Sequence, residues 1–179
     1  MSMKTKTIKA FQDLEMSSQQ LLRILSNQSN ELLGRKQSND GWSLLEVAEH
    51  LYLAEKVAAD YLKNKLYDNK SELDSISTYY FRGLIVRMAL YLPIKFKVPK
   101  QAAILPNSNL NLMEIKSKWE ELNRDTLKLL SEMKESEFQR PLFKHPSVGK
   151  MRLIDGYKLL QVHFKHHKVQ IERIQNVWS

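Results

Sequence analysis

The chain of 179 residues contains no cysteine, only five glycines and five prolines, and no apolar run long enough to cross a bilayer. Each absence excludes something. Without cysteine there is neither a disulfide scaffold nor a thiolate zinc site, so any metal must be held by nitrogen or oxygen ligands. Few glycines and prolines, with 42% hydrophobic and 27% charged residues, match a folded protein rather than a disordered one. The longest apolar stretch, GLIVRMALYLPIKF, is interrupted by Arg87 and broken at Pro93. That falls short of the ~20 residues a spanning helix needs. At the N-terminus, Gln12, Asp13 and Glu15 interrupt what would have to be a signal-peptide core, and the expected location is the cytoplasm. The length is that of one domain, residues 1–179.

Net charge is +8. The lysines alternate with acids, as in KSKWEELNRDTLKLLSEMKESE, and form no basic block, which reads as a solvated surface rather than a nucleic-acid face.

Apolar periodicity predicts helices throughout. Ile8, Phe11, Leu14, Leu21, Leu22, Leu25, Leu32 and Leu33 lay out a first helix ended by Gly34. Ser43 and Glu46, at capping-box spacing, open a second that runs to about Leu66. A third, shorter apolar helix is predicted from Ile76 to Leu92, where Pro93 stops it. Residues 93–111 hold three prolines and no period, and read as a long crossover. Asn111 and Glu114 repeat the capping-box spacing ahead of a fourth helix, and the last spans about Met151 to Val177. No stretch reads as a strand. The expected fold is all-α, an antiparallel four-helix bundle with a long crossover connection.

Three of the five histidines crowd into HFKHHKVQI, residues 163–171. At about 100° per residue, Leu153, Leu160, Ile171, Ile174 and Trp178 fall within about 40° of His167, so His167 lies in the middle of an apolar stripe. His163 is offset by only about 40°, whereas His166 turns about 100° toward the boundary. Two imidazoles at i and i+4 can converge on one divalent ion. His50, on the helical face of Val47, Ala54, Val57 and Tyr61, is the best third ligand. Three neutral imidazoles suit zinc, nickel, copper or iron and leave a coordination position for water or substrate. The same pattern is also compatible with hydrogen-bonded core histidines. Burying several rings without partners costs roughly 1–3 kcal/mol each, however, and one shared ion satisfies all three. His145 reads as a turn residue before Pro146, with lining the site as the alternative; Glu46 reads as a cap, with orienting His50 or serving as a fourth ligand as the alternatives; Trp42 reads as a hydrophobic staple and Trp119 as core.

The elements GWSLLEVAEHLYLAEK and HPSVGKMRLIDGYKLLQVHFKHHKVQI, separated by the proline-containing stretch, together resemble the DinB-like (DinB/YfiT) superfamily of four-helix-bundle metalloproteins. The resemblance implies one divalent ion, Zn2+ or Ni2+, held by one histidine of the second helix and two of the last. These carry over to His50, His163 and His167. Gly156 departs from the pattern by standing where a larger residue is expected. Members of the family are similar to transferases that use low-molecular-weight thiols, or to metal-dependent hydrolases, or have no known reaction. The expectation is therefore a metal-binding protein whose partner is a small molecule, with thiol S-transfer as the leading reaction. Hydrolysis and a non-catalytic stress-response role are the alternatives. The aromatic segment STYYFRGLIVRMALYL is the expected surface for a homodimer.

Overall fold

The computed structural model describes residues 1–36, 41–67, 105–106, 110–145 and 149–176. The expected helix 76–92, most of the crossover, Pro146, Trp178 and the dimer segment lie outside them.

Among the described residues four long helices carry the fold: α1 (Met3–Ser26), α3 (Leu44–Tyr67), α4 (Leu112–Glu132) and α5 (Leu153–Asn176), with a short α2 (Asn30–Gly34) between the first two. The first apolar period, expected as one helix, is thus split. Asn27 caps the C-terminus of α1, and the Ser29 side chain accepts from Leu32 N to start α2, so local side-chain capping overrides a hydrophobic pattern that runs straight through. The two capping boxes form as expected. Ser43 N donates to Glu46 Oε2 at 2.8 Å and Glu46 N to Ser43 Oγ at 3.2 Å, while Asn111 and Glu114 reciprocate at 2.8 and 2.9 Å.

Cross-helix contacts fix the directions. Lys4 Nζ reaches the carbonyls of Ser131 and Met133, and Asn123 meets Ser18, so α1 and α4 are antiparallel. Trp119 packs near Phe164, and Leu122 and Thr126 share a cavity with Tyr157 and Leu160, which makes α4 antiparallel to α5. His50 meets His163, while Glu55 and Ala59 line that same cavity, so α3 is antiparallel to α5 as well. Helices α3 and α4 therefore run the same way.

The ends of α1 and α4 cap each other. Glu135 Oε1 accepts from Met3 N at 2.7 Å, at the end where free N–H groups and the helix dipole favour an anion. Lys4 Nζ in return donates to Ser131 O at 2.6 Å and Met133 O at 2.8 Å, at the end that favours a cation. Between these ends, Leu14, Leu25, Leu44, Leu62, Ile115, Trp119, Leu130, Leu153 and Ile174 are wholly buried. Each contributes on the order of 1.5–3 kcal/mol of burial.

One element was not expected. A 3-10 turn, Glu135–Gln139, leads into an antiparallel hairpin of β1 (Phe143–His145) and β2 (Gly149–Met151), pairing Phe143 with Met151 and His145 with Gly149. Three residues per strand are too few for a period-two signal. Gly149 has φ 87°, a left-handed conformation that disfavours a side chain. The hairpin explains Gly156: a Cβ at that position would lie 2.2 Å from the Phe143 ring, so glycine is what lets the hairpin lie flat on α5.

Candidate metal centre

The antiparallel pairing of α3 and α5 sets His50 opposite His163 and His167. His163 Nε2 lies 3.1 Å from His50 Nε2 and 3.0 Å from His167 Nε2, and one ligand atom from each of the three rings falls within 4.8 Å of the others. The structure thus brings together all three residues named from the sequence. His167 is buried, at 7% exposed, while His50 and His163 are half-buried. The face of His50 was expected to point inward or to the rim of the core; His50 is half-buried and Val57 on that face is 49% exposed, which places it at the rim.

The electrostatics favour neutral rings. Burial, followed by the neighbouring histidines, pushes His163 down to about 3. Burial likewise pushes His167 down to about 4, against an opposing hydrogen bond from Gln170. Both carry lone pairs at neutral pH. His167 Nδ1–H donates to Gln170 Oε1 at 2.8 Å, which fixes the tautomer and leaves Nε2 as a lone pair aimed at His163. His163 Nε2 holds either one N–H or one lone pair, so without a shared cation at most one of the two short contacts is a well-aligned hydrogen bond.

The donor set fits a divalent ion. With metal–nitrogen bonds of about 2.0–2.1 Å, adjacent ligand nitrogens stand about 2.9–3.4 Å apart between right-angled and tetrahedral geometries. The observed 3.0 and 3.1 Å lie in that range. The three histidines can therefore hold a metal ion, and the ligands are nitrogen only.

The surroundings add residues whose roles the sequence did not disclose. The Trp42 ring lies 4.8 Å from that of His50 and stacks at 14° on His167, 6.0 Å away. It forms a wall of the site, whereas its position before a helix suggested only a staple. Its seat is held by the capping box, which Lys36 reinforces through Glu46 Oε1 at 2.8 Å. Glu46 is thus engaged in capping, as expected. His145, read as a turn residue with lining the site as the alternative, ends strand β1, and its charge would act on His163. Burial lowers its own pKa. The His166 ring is 5.2 Å from His167 on the exposed side. All five histidines of the chain are therefore gathered in one neighbourhood.

A sequence profile of the DinB superfamily matches residues 13–171, a span that includes His50, His163, His167, Trp42 and Gln170. The chain belongs to the DinB superfamily. No curated protein and no solved structure gives a significant match. In this DinB protein, no helix among the described residues is long and apolar enough to cross a membrane.

Proposed function

We propose that this DinB-superfamily protein binds one divalent metal ion, Zn2+ or Ni2+, through the Nε2 atoms of His50, His163 and His167, within a single domain. The observation that carries the reading is the convergence of three ligand nitrogens from two helices within 4.8 Å. The leading reaction is transfer of a low-molecular-weight thiol to an electrophilic small molecule. A bound divalent ion supplies Lewis acidity, which acidifies a thiol or a water brought to it.

The chain's own residues have the following parts. Burial keeps His163 and His167 unprotonated and so available as ligands at neutral pH. Gln170 holds the His167 ring in its ligating orientation. The Trp42 indole shields one side of the cluster from water, and its exposed margin offers an apolar surface to a small acceptor. A chain with no thiol of its own accords with sulfur arriving on a cosubstrate. Hydrolysis is the second reading, favoured by the same donor set. A non-catalytic metal-binding role is the third, favoured by the lack, among the described residues, of a carboxylate grouped with the three histidines.

The test is the metal content of protein purified without a histidine tag, followed by conjugation and ester-cleavage assays on the metal-loaded form. One equivalent of metal, lost in His167→Ala with helical content retained, supports metal binding. Turnover that requires added thiol supports the transferase, turnover without thiol supports the hydrolase, and metal without turnover supports the third reading. Absence of stoichiometric metal in the wild-type protein contradicts all three.

A further inference from the structure

A second polar cluster lies in the interior, built from residues of all four long helices. Phe11 and Leu14 of α1, Glu55 of α3, Asn123 of α4 and Tyr157 of α5 are among those that line a cavity with room for about one water molecule. Two acceptor oxygens in this lining, Glu55 Oε1 and Asn123 Oδ1, are buried and without a hydrogen-bond partner. Both side chains are more than nine-tenths buried, at 7% and 5% exposed. Native interiors rarely leave even one such atom orphaned, so two on the same cavity call for a common partner.

We propose that this cavity is a built site for one water molecule, held between Glu55 Oε1 and Asn123 Oδ1 at the centre of the bundle. The neighbouring hydrogen bonds determine which atoms face it. Ser18 donates its hydroxyl to Glu15 O at 2.8 Å, so its oxygen is left to accept from Asn123 Nδ2 at 3.4 Å, and the amide must turn Oδ1 toward the cavity. Trp119 Nε1 donates to Glu55 Oε2 at 3.0 Å, which leaves Oε1 as the free oxygen. A neutral carboxyl with its proton on Oε1 donates to the water, and the water donates to Asn123 Oδ1, so both orphans are satisfied by one molecule.

The surroundings favour the neutral acid. The charged group acting on Glu55 is Glu15 of α1, of like sign; Tyr157 of α5 faces it as a weak acid, and Trp119 of α4 does not titrate. Desolvation, the largest influence, also favours the protonated form. A metal cation is a poor occupant, because two oxygens fall well short of the six or more that a hard cation takes.

A high-resolution crystal structure at neutral pH or below tests the site. The expected result is a single solvent peak at hydrogen-bonding distance from both Glu55 Oε1 and Asn123 Oδ1. An empty cavity overturns the proposal, as does a peak with anomalous signal after a rubidium soak. In solution, thermal melts of Glu55→Leu, Asn123→Leu and the double variant form a cycle. If one water bridges the two residues, the double variant loses less melting temperature than the sum of the single losses, and additive losses overturn the proposal. The crystal result stands alone if a variant fails to fold.

Discussion

Replacing Glu55 by Gln converts the buried carboxyl into a near-isosteric amide that cannot ionise, and the effect on stability depends on pH in a way the structure specifies. Burial raises the Glu55 pKa from 4.5 to about 8, with the Trp119 hydrogen bond opposing this and Glu15 adding to it. Since the folded form holds its proton more tightly than the unfolded chain, the contribution is fully present below pH 4.5. It falls as pH rises toward about 8, and is gone above that. Over that window of roughly 3.5 pH units, at about 1.4 kcal/mol per unit, the wild-type protein should lose on the order of 3–5 kcal/mol relative to Glu55→Gln. Urea unfolding of both proteins, with chelator present so that metal binding contributes nothing, should be measured from pH 4.5 to 9. The difference between the two unfolding free energies isolates Glu55 from every other titrating group. It should favour the wild type most at the acid end and shift steadily toward the variant up to about pH 8, then level off. A difference that does not change with pH would mean instead that the carboxyl is solvated or finds a cation in the folded state.

Further outcomes follow from the metal centre and the hairpin. Gln170→Ala removes no ligand but frees the His167 ring, and should weaken metal affinity about 10–100-fold in a competition titration with a chelating dye. Quenching of tryptophan fluorescence by Ni2+ should be strong in the wild type and largely absent in Trp42→Phe, since Trp42 lies against two of the three proposed ligands. Gly156→Ala drives a methyl group into the Phe143 ring and should lower stability by about 1–3 kcal/mol in denaturant melts.

What could be read from the sequence was whatever a single helix encodes. His167 in mid-stripe and His163 one turn before it follow from angular arithmetic along α5, and the two capping boxes follow from local chemistry. The pairing with His50 needed one further assumption, that two apolar faces meet, and the structure does set these rings together. Features that depend on how helices slide past each other were not legible. The Glu55–Trp119 hydrogen bond joins residues 64 positions apart, and nothing near Glu55 distinguishes it from the solvated acids around it. Trp42 precedes a cap, where an aromatic ordinarily packs on its own helix, and only the approach of α5 turns it into a wall of the histidine cluster. The break after Ser26 was hidden because the apolar period continues across it, and Gly156 looked anomalous because the hairpin that packs on it is too short to announce itself.

Whether His50, His163 and His167 share one ion is decided by anomalous diffraction from metal-loaded crystals, collected on both sides of the metal's absorption edge. One strong peak is expected about 2.0–2.1 Å from the Nε2 atom of each of the three rings. No peak between them, or a peak held by His145 or His166 instead, would contradict a shared ion.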